Sequence, residues 1–105
     1  MNTYHPPLAA LSDPTRLAIF ERLALGPSAV GDLAKGFPIS RPAVSQHLKV
    51  LKNAGLVRDR AAGSRRLYEL DADGVGALQR YFERFWTSAL DAFKAAADLE
   101  QGDSK

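Results

Sequence analysis

The sequence predicts a mostly α-helical domain with one two-stranded β-hairpin, on three observations. Apolar residues recur at three- and four-residue steps through most of the chain. The period changes to that of extended segments only in "LVRDRAAGSRRLYEL", residues 56–70. Helix-start signals, an Asp or Ser closely followed by Pro, stand at Asp13 and Ser40. A chain of 105 residues, 46% hydrophobic and 25% charged, has material for one modest core, so residues 1–105 are read as one domain: an N-terminal arm or helix (1–11), a core (12–70) and a closing helix (71–100). There is no cysteine, which excludes a disulfide framework and any thiolate metal site. The opening "MNTYHPPLAALSDPTR" lacks the basic and apolar regions of a secretory leader, and no stretch approaches the ~20 apolar residues of a membrane span. A cytoplasmic protein is expected.

Element by element, "LSDPTRLAIFERLALG" predicts a first helix with Asp13 as N-cap and Pro14 in the first turn, where its missing N–H costs nothing. Leu17, Phe20, Leu23 and Ala24 form its apolar stripe, Ile19 widens it, and Gly26-Pro27 stops it. "PSAVGDLAKGF" predicts a short second helix capped by Ser28, with Val30, Leu33 and Ala34 as its face and Gly36 as its end. "SRPAVSQHLKVLKNAGLV" predicts the third, with Ser40 as N-cap, Pro42 in the first turn and Gly55 as a left-handed C-cap. At about 100° per residue, Val44, Leu48 and Leu51 fall within one narrow stripe. The opposite face carries Pro42, Ser45, Gln46, Lys49 and Asn53: a hydroxyl, two carboxamides and one lysine, where a merely solvated helix more often carries Glu–Lys pairs.

Two extended segments, 56–60 and 66–70, then flank "AAGS", with Gly63 supplying the turn and Arg58, Arg60, Arg65 and Arg66 on the arms and tip. Four arginines on so small a hairpin call for an anionic partner. "DADGVGALQRYFERFWTSALDAFKAAADLE" closes the chain as a helix of about 25 residues, ~38 Å long, capped by Asp71 or Asp73.

Net charge is only +2, but its distribution is uneven. Eight Lys or Arg and one acid, Asp59, lie between Lys35 and Arg66, while the remaining residues are net acidic. A basic middle between acidic flanks suits one surface that meets a polyanion. A solvated basic face is the plainer explanation of a charge cluster taken alone; the neighbouring elements decide between them. Helix, helix, turn, helix and hairpin is the order of a winged helix-turn-helix, whose recognition helix enters the major groove while the wing follows the adjoining backbone or minor groove. Arg41 and Gln46 can make bidentate contacts to base edges, Ser45 can donate or accept, and Pro42 offers an apolar contact to a thymine methyl. Lys49, Arg58, Arg60, Arg65 and Arg66 suit phosphates, and Ser40 completes the candidate DNA-binding set.

"LSDPTRLAIFERLA", "SRPAVSQHLKVLKNAGLV" and "GSRRLYEL", in this order and spacing, closely resemble the ArsR family of bacterial winged helix-turn-helix repressors, over residues 8–71 and more loosely through the closing helix. The resemblance implies a homodimer, joined through its first and last helices, that binds a palindromic operator and is released by an inducer. It also implies groove contacts from Arg41, Pro42, Ser45 and Gln46. A dimer is expected independently of family: five of the nine aromatics lie between positions 81 and 93, more apolar surface than a small core can bury. Leu78, Phe82, Phe85, Trp86, Leu90 and Phe93, joined by Leu8 and Leu11 of the arm, are the candidate seam.

The chain departs from metal-sensing members of that family. Ala29 and Gly31 stand where a Cys-x-Cys pair would precede Asp32-Leu33, the closing helix has no histidine, and His5 and His47 make no ligand spacing. No metal and no cofactor are therefore expected, and the small-molecule inducer is unknown from the sequence. His47 lies at the edge of the core stripe and is read as a packed histidine; Ser45 and His47, two residues apart, point in different directions and form no dyad. "DGVGAL" lacks the third glycine and the strand context of a dinucleotide fingerprint, and no carboxylates gather into a catalytic cleft, so an enzyme is not expected. The competing reading is a winged-helix protein-interaction module that docks a partner on its aromatic closing helix.

Overall fold

The structure, a computed structural model, describes residues 5–103, with side chains to residue 100; the first four positions of the expected arm lie outside the described residues. The elements run α1 (Pro6–Ala10), α2 (Pro14–Leu23), β1 (Ser28–Ala29), α3 (Val30–Lys35), α4 (Arg41–Asn53), β2 (Val57–Ala62), β3 (Arg65–Leu70) and α5 (Ala72–Asp103). Local sequence accounts for most of the boundaries. Asp13 caps α2, its carboxylate accepting from the Arg16 N–H at 2.9 Å, and Ser40 caps α4, its hydroxyl accepting from the Ala43 N–H at 3.2 Å. Beyond α4 the chain reverses through Gly55 at φ +81°, and Gly63 at φ +64° occupies the first central position of the two-residue hairpin turn. The Asp71 carboxylate accepts from the Asp73 N–H at 3.0 Å at the start of α5.

Residues of all five helices and the base of the hairpin enclose the core: Ala10, Ile19, Leu23, Leu33, Val44, Leu48, Leu51, Leu56, Val57 and Leu78. All three stripe residues of α4 are completely buried. On α2 the stripe is rolled relative to the expected one. Ile19 is its centre beside Leu23, while Leu17 and Ala24 face solvent. The side of α2 that meets α4 is set by the packing, and five apolar residues in one helix leave more than one possible stripe.

One feature lies outside the sequence reading. Ser28 does not cap α3. It lies in β1, which pairs antiparallel with β3 through Ser28–Tyr68 and Ala29–Leu67 and turns the hairpin into a three-stranded sheet of order β1-β3-β2. Ala29 is the N-cap, without a side-chain bond. The arm forms the short helix α1, whose N-cap His5 accepts from the Leu8 N–H through Nδ1 at 3.4 Å and packs against Tyr81 of α5, the ring centroids 4.4 Å apart and the planes tilted by 43°.

The first turn of α5 crosses the α4–β2 turn in very close contact. A Cβ added at Gly74 would sit 1.7 Å from the Gly55 carbonyl oxygen, whereas one at Gly76 would meet only the end of the Arg80 side chain at 3.4 Å. Gly74→Ala is expected to destabilise by about 1–3 kcal/mol through backbone displacement. Gly76→Ala should instead gain up to about 1 kcal/mol from helix propensity. Urea-unfolding midpoints of the two variants check this, and a gain for both would show that α5 is not held against the turn.

Candidate nucleic-acid interface

Burial of Val44, Leu48 and Leu51 turns the other side of α4 outward. Ser40, Arg41, Pro42, Ser45, Gln46, Lys49 and Asn53 are all exposed. The two prolyl-helix constraints that matter here are local: Pro42 sits within the first turn, and the Ser40 cap holds that turn closed. The Arg41 guanidinium lies over Gly31 of α3, where a Cβ would approach it to 3.6 Å. His47 is half-buried at the edge of the stripe.

The wing arginines already have partners within the chain. Register places Arg58 opposite Glu69 and Arg60 opposite Leu67, so Arg58, Arg60 and Glu69 share one face of the hairpin. Glu69 accepts from Arg58 Nε at 3.0 Å and from Arg60 Nε at 2.9 Å. On the other face Asp59 takes Lys52 Nζ of α4 at 2.6 Å and Arg66 at 2.7 Å, which ties the recognition helix to the wing. At the tip, Arg65 bonds Asp32 of α3. The expectation that four arginines require an outside anion is therefore corrected. Asp32 and Glu69 lie just beyond the Lys35–Arg66 window and the fold returns them to it. The three carboxyls are held below their ordinary pKa values: Asp59 chiefly by Lys52 and then Arg66, Glu69 by Arg60 and then Arg58, Asp32 by Arg65.

The candidate seam divides in two. Phe82, Phe85, Trp86, Leu90 and Phe93 are exposed along α5, with Trp86 62% and Phe93 72% accessible. Leu78 is a correction: it is buried in the chain's own core, because the first turns of α5 close that core before the helix leaves it. Leu8 and Leu11 are half-buried against the same core. Among the described residues no cluster of His, Cys, Asp or Glu could hold a metal ion, and no helix is long and apolar enough to cross a membrane.

Sequence reasoning missed Asp32, Asp59 and Glu69 as the anchors of the basic surface. A signal for Glu69 was present: reading "GS" as a two-residue turn sets Arg58 opposite Glu69. Because the folded pKa values of Asp59 and Glu69 are depressed, their stabilisation is present above the ordinary values of 3.8 and 4.5 and is lost as pH falls through the lowered ones. Melting temperature should hold from neutrality to about pH 5 and drop below about pH 4. The double variant Asp59→Asn/Glu69→Gln should show a shallower acid decline; an unchanged decline would assign it to other groups.

The model of "Bacterial regulatory protein, arsR family" matches residues 13–59, from the cap of α2 to the first strand of the wing. The HTH-type transcriptional regulator Rv2034 of Mycobacterium tuberculosis (strain ATCC 25618 / H37Rv) is 56% identical over 107 residues, covering 99% of this chain and 100% of that protein. The arsenical resistance operon repressor of Staphylococcus xylosus is 31% identical over 96 residues, covering 91% and 90%. The solution structure of the homodimeric winged helix-turn-helix DNA-binding domain Mb0332 of Mycobacterium bovis, a possible ArsR-family regulator, aligns with a TM-score of 0.64 at 29% identity, covering 81% of this chain and 79% of that one. Helix caps, wing and near full-length similarity agree, and the chain belongs to the arsR family of bacterial regulatory proteins, a family of winged helix-turn-helix transcriptional regulators and not of enzymes.

Proposed function

We propose that the protein is a homodimeric transcriptional repressor that recognises a palindromic operator with α4 in the major groove and the wing on the adjoining backbone or minor groove. The observation that carries this reading is the exposed polar face of α4, directly opposite a completely buried stripe and flanked by an arginine-bearing hairpin. Arg41 and Gln46 read base edges, Ser45 adds a hydroxyl contact and Pro42 an apolar one. Ser40, Lys49, Arg58, Arg60, Arg65 and Arg66 lie against the phosphate backbone and set register. The Staphylococcus xylosus relative is a named repressor and the Mycobacterium bovis domain is homodimeric, and both properties are carried to this chain on that similarity. The exposed stripe of α5 supplies the second copy's docking face, and a two-fold dimer reads two half-sites of opposite orientation. That use of the stripe leaves no separate observation in favour of a protein-docking module.

Three measurements test the reading. The protein should bind its own upstream DNA about 10³-fold more tightly than a scrambled duplex, as a complex of two chains; equal, weak binding to both would remove the groove assignment. Gln46→Ala should cut discrimination between cognate and mismatched sites by ~1–3 kcal/mol while leaving scrambled-duplex affinity unchanged. In sedimentation, Trp86→Glu should convert the dimer to a monomer of unchanged helicity, since Trp86 is exposed in the single chain; a persisting dimer would place the seam elsewhere.

A further inference from the structure

Between the wing tip, the first turn of α4 and the start of α3 lies a cleft of about 300 Å³, walled by Gly31, Arg41, Ser64, Arg65, Arg66 and Tyr68. Three guanidinium-bearing side chains and two hydroxyls line it, and no carboxylate does. The three arginines are held differently. Arg41 lies over Gly31 and pairs with no acid among the described residues. Arg66 is fixed on Asp59, a carboxylate only 11% exposed that Lys52 also grips. Arg65 bonds Asp32, and there both side chains are half-exposed, 56% and 50%.

Resting on the DNA-binding reading above, we infer that this cleft seats one phosphate of the DNA backbone, and that Asp32 is a stand-in acid which holds Arg65 until the phosphate displaces it. An exposed ion pair of this kind is screened by water and adds little stability. A duplex phosphate beside Arg65 offers it a stronger charge-assisted contact than the exposed carboxylate does and releases condensed counterions. Arg66, with its better buried acid, keeps the wing in place while Arg65 changes partner. Every duplex must first displace the Asp32 carboxylate from Arg65, and Lys35, 3.9 Å away, and the charge of Arg22 help to keep that carboxylate in place. Asp32 thereby lowers affinity for every duplex, whatever its sequence, and restrains the non-specific part of binding.

The test is fluorescence anisotropy of wild type, Asp32→Asn, Asp32→Glu, Arg65→Ala and the double variant Asp32→Asn/Arg65→Ala. Each is titrated with the upstream duplex and a scrambled duplex of equal length between about 50 and 200 mM salt. Asp32→Asn should tighten both duplexes about two- to fivefold and steepen the salt dependence by up to about 0.9 in log–log slope. Asp32→Glu should match wild type, and the gain should vanish when Arg65 is absent. Weaker or unchanged binding by Asp32→Asn would overturn the inference, as would a gain that persists without Arg65, which would be long-range repulsion alone. If wild type binds neither duplex above the non-specific level, the groove reading falls and takes this one with it. Selective wild-type binding with an inert Asp32→Asn removes the cleft alone.

Discussion

The seating of α4 on three completely buried side chains, Val44, Leu48 and Leu51, is the constraint on which the rest of the structure depends. Each such burial stabilises by roughly 1.5–3 kcal/mol, and together they leave the helix one rotational setting. Rolling α4 by half a residue step would lift one of them toward water and carry Lys52 or His47 inward. Ile19 and Leu23 of α2, Leu33 of α3, and Leu56 and Val57 after the turn close around that stripe. The exposed face of α4 follows from the same contacts, because a helix that commits one narrow side to the core must present the other.

Electrostatics then fixes the hairpin relative to the helix. Four arginines on one small hairpin would repel one another, yet each stands beside a carboxylate. Glu69 bridges Arg58 and Arg60 on one face, and Asp59 joins Arg66 to Lys52 of α4 on the other. The bases of these pairs stay more than half exposed, so screening limits what the pairs contribute and they act more as spacers than as a large source of stability. A guanidinium held at its place by an internal acid is already ordered when an outside anion approaches, which reduces the entropy lost on binding.

Beyond Tyr81 the chain's own core has ended. α5 continues through Asp103 with Phe82, Phe85, Trp86, Leu90 and Phe93 turned to solvent. Most helical stability in proteins comes from packing an amphipathic face, and an apolar stripe at three- and four-residue steps is the surface that a second helix covers. The same helix therefore has two jobs along its length: its first turns, through Gly74 and Leu78, close the domain, and the remainder faces outward.

The order of elements, the caps at Asp13 and Ser40, the turn at Gly63 and the buried stripe of α4 were legible in the residues, because each follows from chemistry within about four positions along the chain. The exposed residues of the α4 face were legible for the same reason. What only the tertiary structure decided are relations between distant segments. Examples are the strand that Ser28 and Ala29 add beside β3, the roll of α2 that buries Ile19 and exposes Leu17, and the fit of Gly74 against Gly55. Asp32 comes to Arg65 from 33 residues away. A charge count along the sequence marks a basic segment, but the charge of a surface depends on which acids the fold brings back to it.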